Sequence, residues 1–162
     1  MYTASTVSKL LPAVRIVTVP ESVGVHFLDS NVFIYLFDTT DERKRGIARG
    51  LVDAALGNDS ACISHQVVQE TLNVLTRKLP KPLAPDMAQR FMQHSLLPLW
   101  RVMPSAALYA KGLELQARWQ ISFYDALIVA AALEAGCKRL FSEDLQHEQR
   151  IEGLRIENPF KI

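Results

Sequence analysis

At 162 residues the chain has the length of a single domain. Apolar residues make up 49% and charged residues 22%, which supplies a core and excludes a disordered chain. The formal net charge of +1 excludes a broadly basic nucleic-acid binder, so any nucleic-acid contact has to come from local patches.

The first 24 residues, MYTASTVSKLLPAVRIVTVPESVG, carry a single acid, Glu21. Lys9, Pro12 and Arg15 interrupt the apolar core that a signal peptide needs. The segment reads as a partly ordered N-terminal extension ahead of a domain at 25–162. A targeting role is the lesser alternative, because Arg and Ser with few acids are only weakly transit-like.

The domain opens with VHFLD, 25–29, a short apolar run read as a strand that ends in Asp29. SNVFIYLFD then suggests a turn and a helix. Residues 41–57 have apolar positions at helical spacing (Ile47, Leu51, Val52, Ala55, Leu56), with Gly57 placed just past the helix end. SACIS, 60–64, is a strand and 65–79 a helix. PKPLAP breaks the chain, a further helix begins at Asp86, and PLWRVMP is a strand. Residues 105–120 and 125–136 are helical, the second closed by Gly136. KRLFS is a strand, HEQRIEGL a helical turn and RIENPF a last short strand. The alternation of strands and helices predicts an α/β fold with a mostly parallel sheet. No run approaches the roughly 18 apolar residues of a membrane span. Cys62 and Cys137 lie apart in apolar surroundings and read as core thiols in a reducing compartment.

Four acids adjoin apolar runs: Asp29, Glu70, Asp125 and Asp144. Each has an ordinary reading. Asp29 suits an Asx turn or a helix cap. Asp125 follows Ser122 by three in SFYD, a capping box with Asp in place of Glu. Glu70 shares a helix face with Gln66, Asn73 and Arg77, as a solvated acid would. Asp144 in SEDL suits a turn. Taken together they read differently, because ligands of a parallel sheet bind beyond the carboxyl ends of its strands. Each acid also has a small polar neighbour: Ser30 and Asn31, Asn73, Ser122, Ser142. Converging carboxylates repel unless a cation joins them, and oxygen-only donors suit Mg²⁺ or Mn²⁺.

At these residues the sequence resembles PIN-domain proteins, close to the VapC type of toxin ribonuclease. The resemblance rests on FLDSNVFIYLF, VVQETLNVLTRK, SFYDALIVAAALEAGC, LFSEDLQ and the GLRIENPF tail, over roughly residues 25 to 160. DALIVAAA with SEDLQ downstream is its most specific part. It implies a three-layer α/β/α sandwich and a Mg²⁺- or Mn²⁺-dependent site that hydrolyses single-stranded regions of RNA. The family's four acids fall on Asp29, Glu70, Asp125 and Asp144, the expected catalytic and metal-holding residues. Asn31 matches the polar residue that orients the first acid, and Ser142 the small hydroxyl residue before the fourth. Asn73 and Ser122 are further supporting candidates. Glu143 is an accessory acid whose side chain should point away from that of Asp144. The resemblance further implies an antitoxin partner, a homodimer and a cytoplasmic location without a membrane. The extension at 1–24 departs from the usual pattern.

Two basic clusters are candidates for RNA contact: Arg43, Lys44, Arg45 and Arg49, and then Arg77, Lys78 and Lys81. The mixed signs of DERKR equally suit a solvated helix face. Tyr35, Phe37 and Trp100 read as core aromatics and His147 as a surface residue. Two rivals remain at this stage. A haloacid-dehalogenase-like phosphatase needs a second Asp where Asn31 stands. A catalytically silent binding module on the same scaffold would tolerate loss of the acids.

Overall fold

The computed structural model describes residues 25–161, so the extension read at 1–24 lies outside the described residues. Six strands form one sheet in the order β3-β2-β1-β4-β6-β5. They are β1 (His26–Leu28), β2 (Ala61–Ser64), β3 (Trp100–Val102), β4 (Arg139–Phe141), β5 (Arg150–Ile151) and β6 (Leu154–Glu157). All neighbouring pairs are parallel except β5 with β6. Phe27 stands opposite Cys62 on one side and Leu140 on the other. All of β2 is buried, as a strand covered on both faces must be, and so it lacks the alternation of a half-exposed strand.

The helices are α1 (Ser30–Ile34), α2 (Glu42–Asn58), α3 (His65–Asn73), α4 (Pro85–Phe91), α5 (Ala106–Trp119) and α6 (Phe123–Glu134). From β1 to β3 the chain steps outward along one half of the sheet, and after β3 it returns across to β4. Because parallel crossovers are right-handed, α1 to α4 take one face and α5 with α6 the other. The result is the expected α/β arrangement around a mostly parallel sheet, and its direction reverses between β1 and β4.

The apolar run of α6 is buried without a break from Ala126 to Ala132, between the sheet and α5. Small side chains let the two helices approach. A Cβ added to Gly112 of α5 would lie 2.7 Å from Leu127 Cδ2. Burial of the larger members, Leu127, Ile128 and Val129, contributes roughly 1.5–3 kcal/mol each.

Several sequence boundaries shift. Gly57 lies inside α2, and the chain leaves the helix at Asp59, whose φ of 51° is the left-handed conformation that Asp tolerates. The helix predicted from Asp86 starts at Pro85, where the missing N–H costs nothing. Those predicted at 65–79 and from Asp86 end in wider π turns at Val74–Lys78 and Met92–Leu96. HEQRIEGL is not a helical turn. It holds β5 and a two-residue hairpin turn, Glu152–Gly153, with φ of 48° and 88°. Positive φ at both turn residues matches the twist of the flanking strands. Gly136, with φ of 70°, does close α6 as the sequence suggests.

Candidate active site

The crevice of an open parallel sheet lies where its winding reverses, at the carboxyl ends of the strands involved. Here those strands are β1 and β4: Asp29 follows the first and Asp144 lies just past the second, with Glu70 near Asp29. The backbone N–H of Asp29 donates to the carbonyl of Phe141 at 3.0 Å, which holds the end of β1 against the end of β4. Asp29 then caps α1 from an extended backbone conformation.

The Asp29 carboxylate is 5% exposed and takes two short hydrogen bonds. Oδ1 accepts from the Ser30 N–H and Oδ2 from the Ser142 hydroxyl, each at 2.7 Å. Burial pushes its carboxyl up to about 7, against the effect of those donors, and the nearby charges of Glu70 and Asp144 push the same way.

Two chains of hydrogen bonds leave this carboxylate. On the β4 side, fully buried Ser142 also accepts from the Asp144 N–H at 3.2 Å. The Asp144 carboxylate accepts from the Asn31 amide at a long 3.4 Å. On the α3 side, the Ser30 hydroxyl donates to Glu70 Oε2 at 3.0 Å. Gln66, one turn earlier, donates from Nε2 to Glu70 Oε1 at 2.8 Å and to the Tyr124 carbonyl at 3.1 Å. Glu70 is therefore half-buried and anchored, not the solvated acid of the plain helix-face reading.

Asp125 is the fourth acid, one residue beyond Tyr124 in the first turn of α6. Its carboxylate accepts from the Ser122 hydroxyl at 2.8 Å, while its N–H donates to the same oxygen at 3.1 Å. Ser122 caps the helix, and the acid faces it. Asn73, at the end of α3, is exposed and makes no hydrogen bond to these acids.

Glu143 turns away from Asp144, to the Tyr35 hydroxyl and the Lys44 ammonium. Lys44 also donates to Tyr35 Oη at 2.9 Å and lies 4.6 Å from the centre of its ring. Hydrogen bonds to Glu143 and then Tyr35 raise the Lys44 pKa. Arg43 donates to the Phe160 carbonyl at 2.8 Å, and Arg45 pairs with Glu42 at 2.5 Å. The side chains of 43–45 thus knit α2 to the β4 turn, to the tail and to their own helix. Arg77 and Lys78 are exposed, with no ion pair among the described residues, as are Arg49 and Lys81. Tyr35 packs edge-on to Phe160, Phe37 to Phe91, and the Trp100 indole donates to the Val102 carbonyl. His147 accepts from the Asn158 N–H at 3.0 Å and does not join the acids.

The donor set suits a hard divalent ion, being made of carboxylate, amide and hydroxyl oxygens. A buried carboxylate near two others, protonated up to near-neutral pH, is a group that a cation would relieve. Among the described residues no three acid, His or Cys side chains converge on one point. Mg²⁺ does not require that, since it keeps several waters and often takes only one or two carboxylates directly. The chemistry of these residues fits such an ion.

A family model described as PIN domain matches residues 26–151. Solved structures share the fold. VapC20 of Mycobacterium tuberculosis, described as a Sarcin-Ricin loop cleaving toxin, is 24% identical with a TM-score of 0.56, over 74% of this chain and 91% of that one. A toxin–antitoxin complex from Klebsiella pneumoniae matches at 19% identity and a TM-score of 0.62, over 85% and 99%. A DNA-bound VapBC from Salmonella typhimurium matches at 20% identity and a TM-score of 0.60, over 82% and 96%. No curated protein matches the chain.

Proposed function

The chain belongs to the PIN-domain family, and from that premise we propose that it is a Mg²⁺- or Mn²⁺-dependent endoribonuclease, the toxin of a toxin–antitoxin pair. One observation carries the reading. A buried Asp29 at the switch point between β1 and β4 is tied through Ser30 to Glu70 and through Ser142 to Asp144. A structural cap needs neither burial nor two acidic neighbours.

In this reading Asp29, Asp144 and Asp125 would hold the ion. A bound Mg²⁺ or Mn²⁺ would supply Lewis acidity, activating water and offsetting charge that develops on a phosphodiester. The protein does the rest by position. Ser142 orients Asp29 and the turn that carries Asp144. Glu70, held at both oxygens, would complete the metal site or orient a water for attack. Asn31 aims Asp144. No side-chain nucleophile is required.

The substrate in this reading is a single-stranded region of RNA, guided by the exposed Arg77 and Lys78. An antitoxin, a second copy of the chain and a cytoplasmic setting complete the proposal. Among the described residues no helix is long and apolar enough to cross a membrane. The test is RNA cleavage by the purified protein with Mg²⁺ or Mn²⁺ and again with EDTA. Cleavage that persists in EDTA would overturn the metal-dependent reading.

A further inference from the structure

We infer that Gln66 is a positioning residue of this centre, setting the place of Glu70 relative to the first turn of α6 and so to Asp125. The inference rests on the metal-dependent reading above and adds a residue to it. Gln66 is 6% exposed, on the buried side of α3. A leucine would pack there without an amide to satisfy. The amide is used instead as a two-pronged donor. Its Nε2 reaches a carboxylate oxygen of Glu70 at 2.8 Å and the Tyr124 carbonyl at 3.1 Å. Both partners can only accept, so the amide cannot be turned over without placing its oxygen against theirs. Its orientation is fixed by chemistry.

The consequence concerns two elements that the chain does not connect directly. Glu70 lies on α3, which packs on one face of the sheet, and α6 belongs to the layer on the other. They meet at the carboxyl ends of the strands. Gln66 spans that meeting and latches Glu70 to the residue immediately before Asp125. The Ser30 hydroxyl holds the other oxygen of Glu70 and carries the link back to Asp29. Without Gln66, Glu70 keeps only the Ser30 bond and loses its link to the start of α6. The Oε1 of Gln66 is itself buried with no hydrogen-bond partner among the described residues, the kind of acceptor that a water within the centre would satisfy.

The experiment uses the full chain with Gln66→Met, which keeps the length of the side chain and removes both donors. Mn²⁺ binding is followed by loss of the free-ion EPR signal, alongside thermal melting without metal and RNA cleavage. Groups that orient metal ligands change affinity by about 10–100-fold when removed, so Mn²⁺ affinity should fall at least roughly tenfold while the melt stays cooperative. In a Glu70→Gln background the same substitution should weaken Mn²⁺ binding less than twofold more, because its effect passes through Glu70. If Gln66→Met does not fold, Gln66→Asn replaces it with the same expectation, since its amide is a methylene too short to reach both acceptors. Unchanged Mn²⁺ affinity in Gln66→Met, where the wild type binds and cleaves, would overturn the inference alone, as would full additivity with Glu70→Gln. A wild type that neither binds Mn²⁺ nor cleaves would remove the underlying reading and the inference with it.

Discussion

The Ser142 hydroxyl donates to Asp29 Oδ2 at 2.7 Å, across 113 positions of sequence. The Ser142 hydroxyl oxygen also accepts from the N–H of Asp144 at 3.2 Å. One buried hydroxyl therefore sets the first acid and the turn that carries the fourth. Ser142→Ala removes the donor that most favours the charged form of Asp29, so the Asp29 pKa should rise above its value of about 7. Because ion and proton compete for that carboxylate, Mn²⁺ binding by Ser142→Ala should require higher pH than binding by wild type. An unmoved pH dependence of Mn²⁺ binding would show that Ser142 does not set the Asp29 proton.

Stability should also report on Asp29. Its folded-state pKa is raised from 3.8 to about 7 by burial first and by Glu70 and Asp144 after it. Below about pH 4 the folded and unfolded chains both hold the proton, and the site carries no penalty. As pH rises toward 7 the unfolded chain releases its proton while the folded one keeps it, which favours unfolding. The melting temperature of metal-free protein should therefore fall between pH 4 and 7. Asp29→Asn should flatten that slope. Mn²⁺ should raise the melting temperature more at pH 8 than at pH 5.5, because ion and proton compete for one carboxylate. Melting curves over this range, with and without Mn²⁺, check all three statements.

The strand ending in Asp29, the apolar helix after Asp125 and the alternation of elements are all legible in the sequence, because each is a local pattern of burial. The fully apolar character of Ala126 to Ala132 signals a helix enclosed by protein, which α5 and the sheet provide. Gln66 is legible only as a neighbour of Glu70 at helical spacing. Its hydrogen bond to the Tyr124 carbonyl spans 58 residues, which no local pattern shows. The β5–β6 hairpin was hidden because two residues of strand are too few to show a period. The Glu-Gly pair at its turn was the available signal. The facing of Asp125 toward Ser122 is the capping-box pattern that SFYD shows. Spacing alone cannot tell a cap from a ligand.

The basic residues should separate by their engagement. Lys44 is held by Glu143 and Tyr35. Arg77 and Lys78 are exposed and have no ion pair among the described residues. Arg77→Ala and Lys78→Ala should each weaken RNA binding and lower the slope of log affinity against log salt by about 1. Lys44→Met should leave that slope unchanged and lower stability only slightly, since its pair with Glu143 is partly exposed. RNA titrations at several salt concentrations, with denaturant melts of the same proteins, distinguish the two roles.

The most direct measurement compares cleavage of single-stranded RNA by wild type and Asp29→Asn, prepared identically, in Mg²⁺ and in EDTA. The account predicts cleavage by wild type in Mg²⁺ alone and a loss of roughly a hundredfold or more in Asp29→Asn, which removes a ligand charge and keeps the shape. The variant should still melt cooperatively, because a neutral group suits that buried position. Equal cleavage by both proteins, or cleavage indifferent to EDTA, would contradict the claim that this buried acid and its neighbours form a metal-dependent nuclease centre.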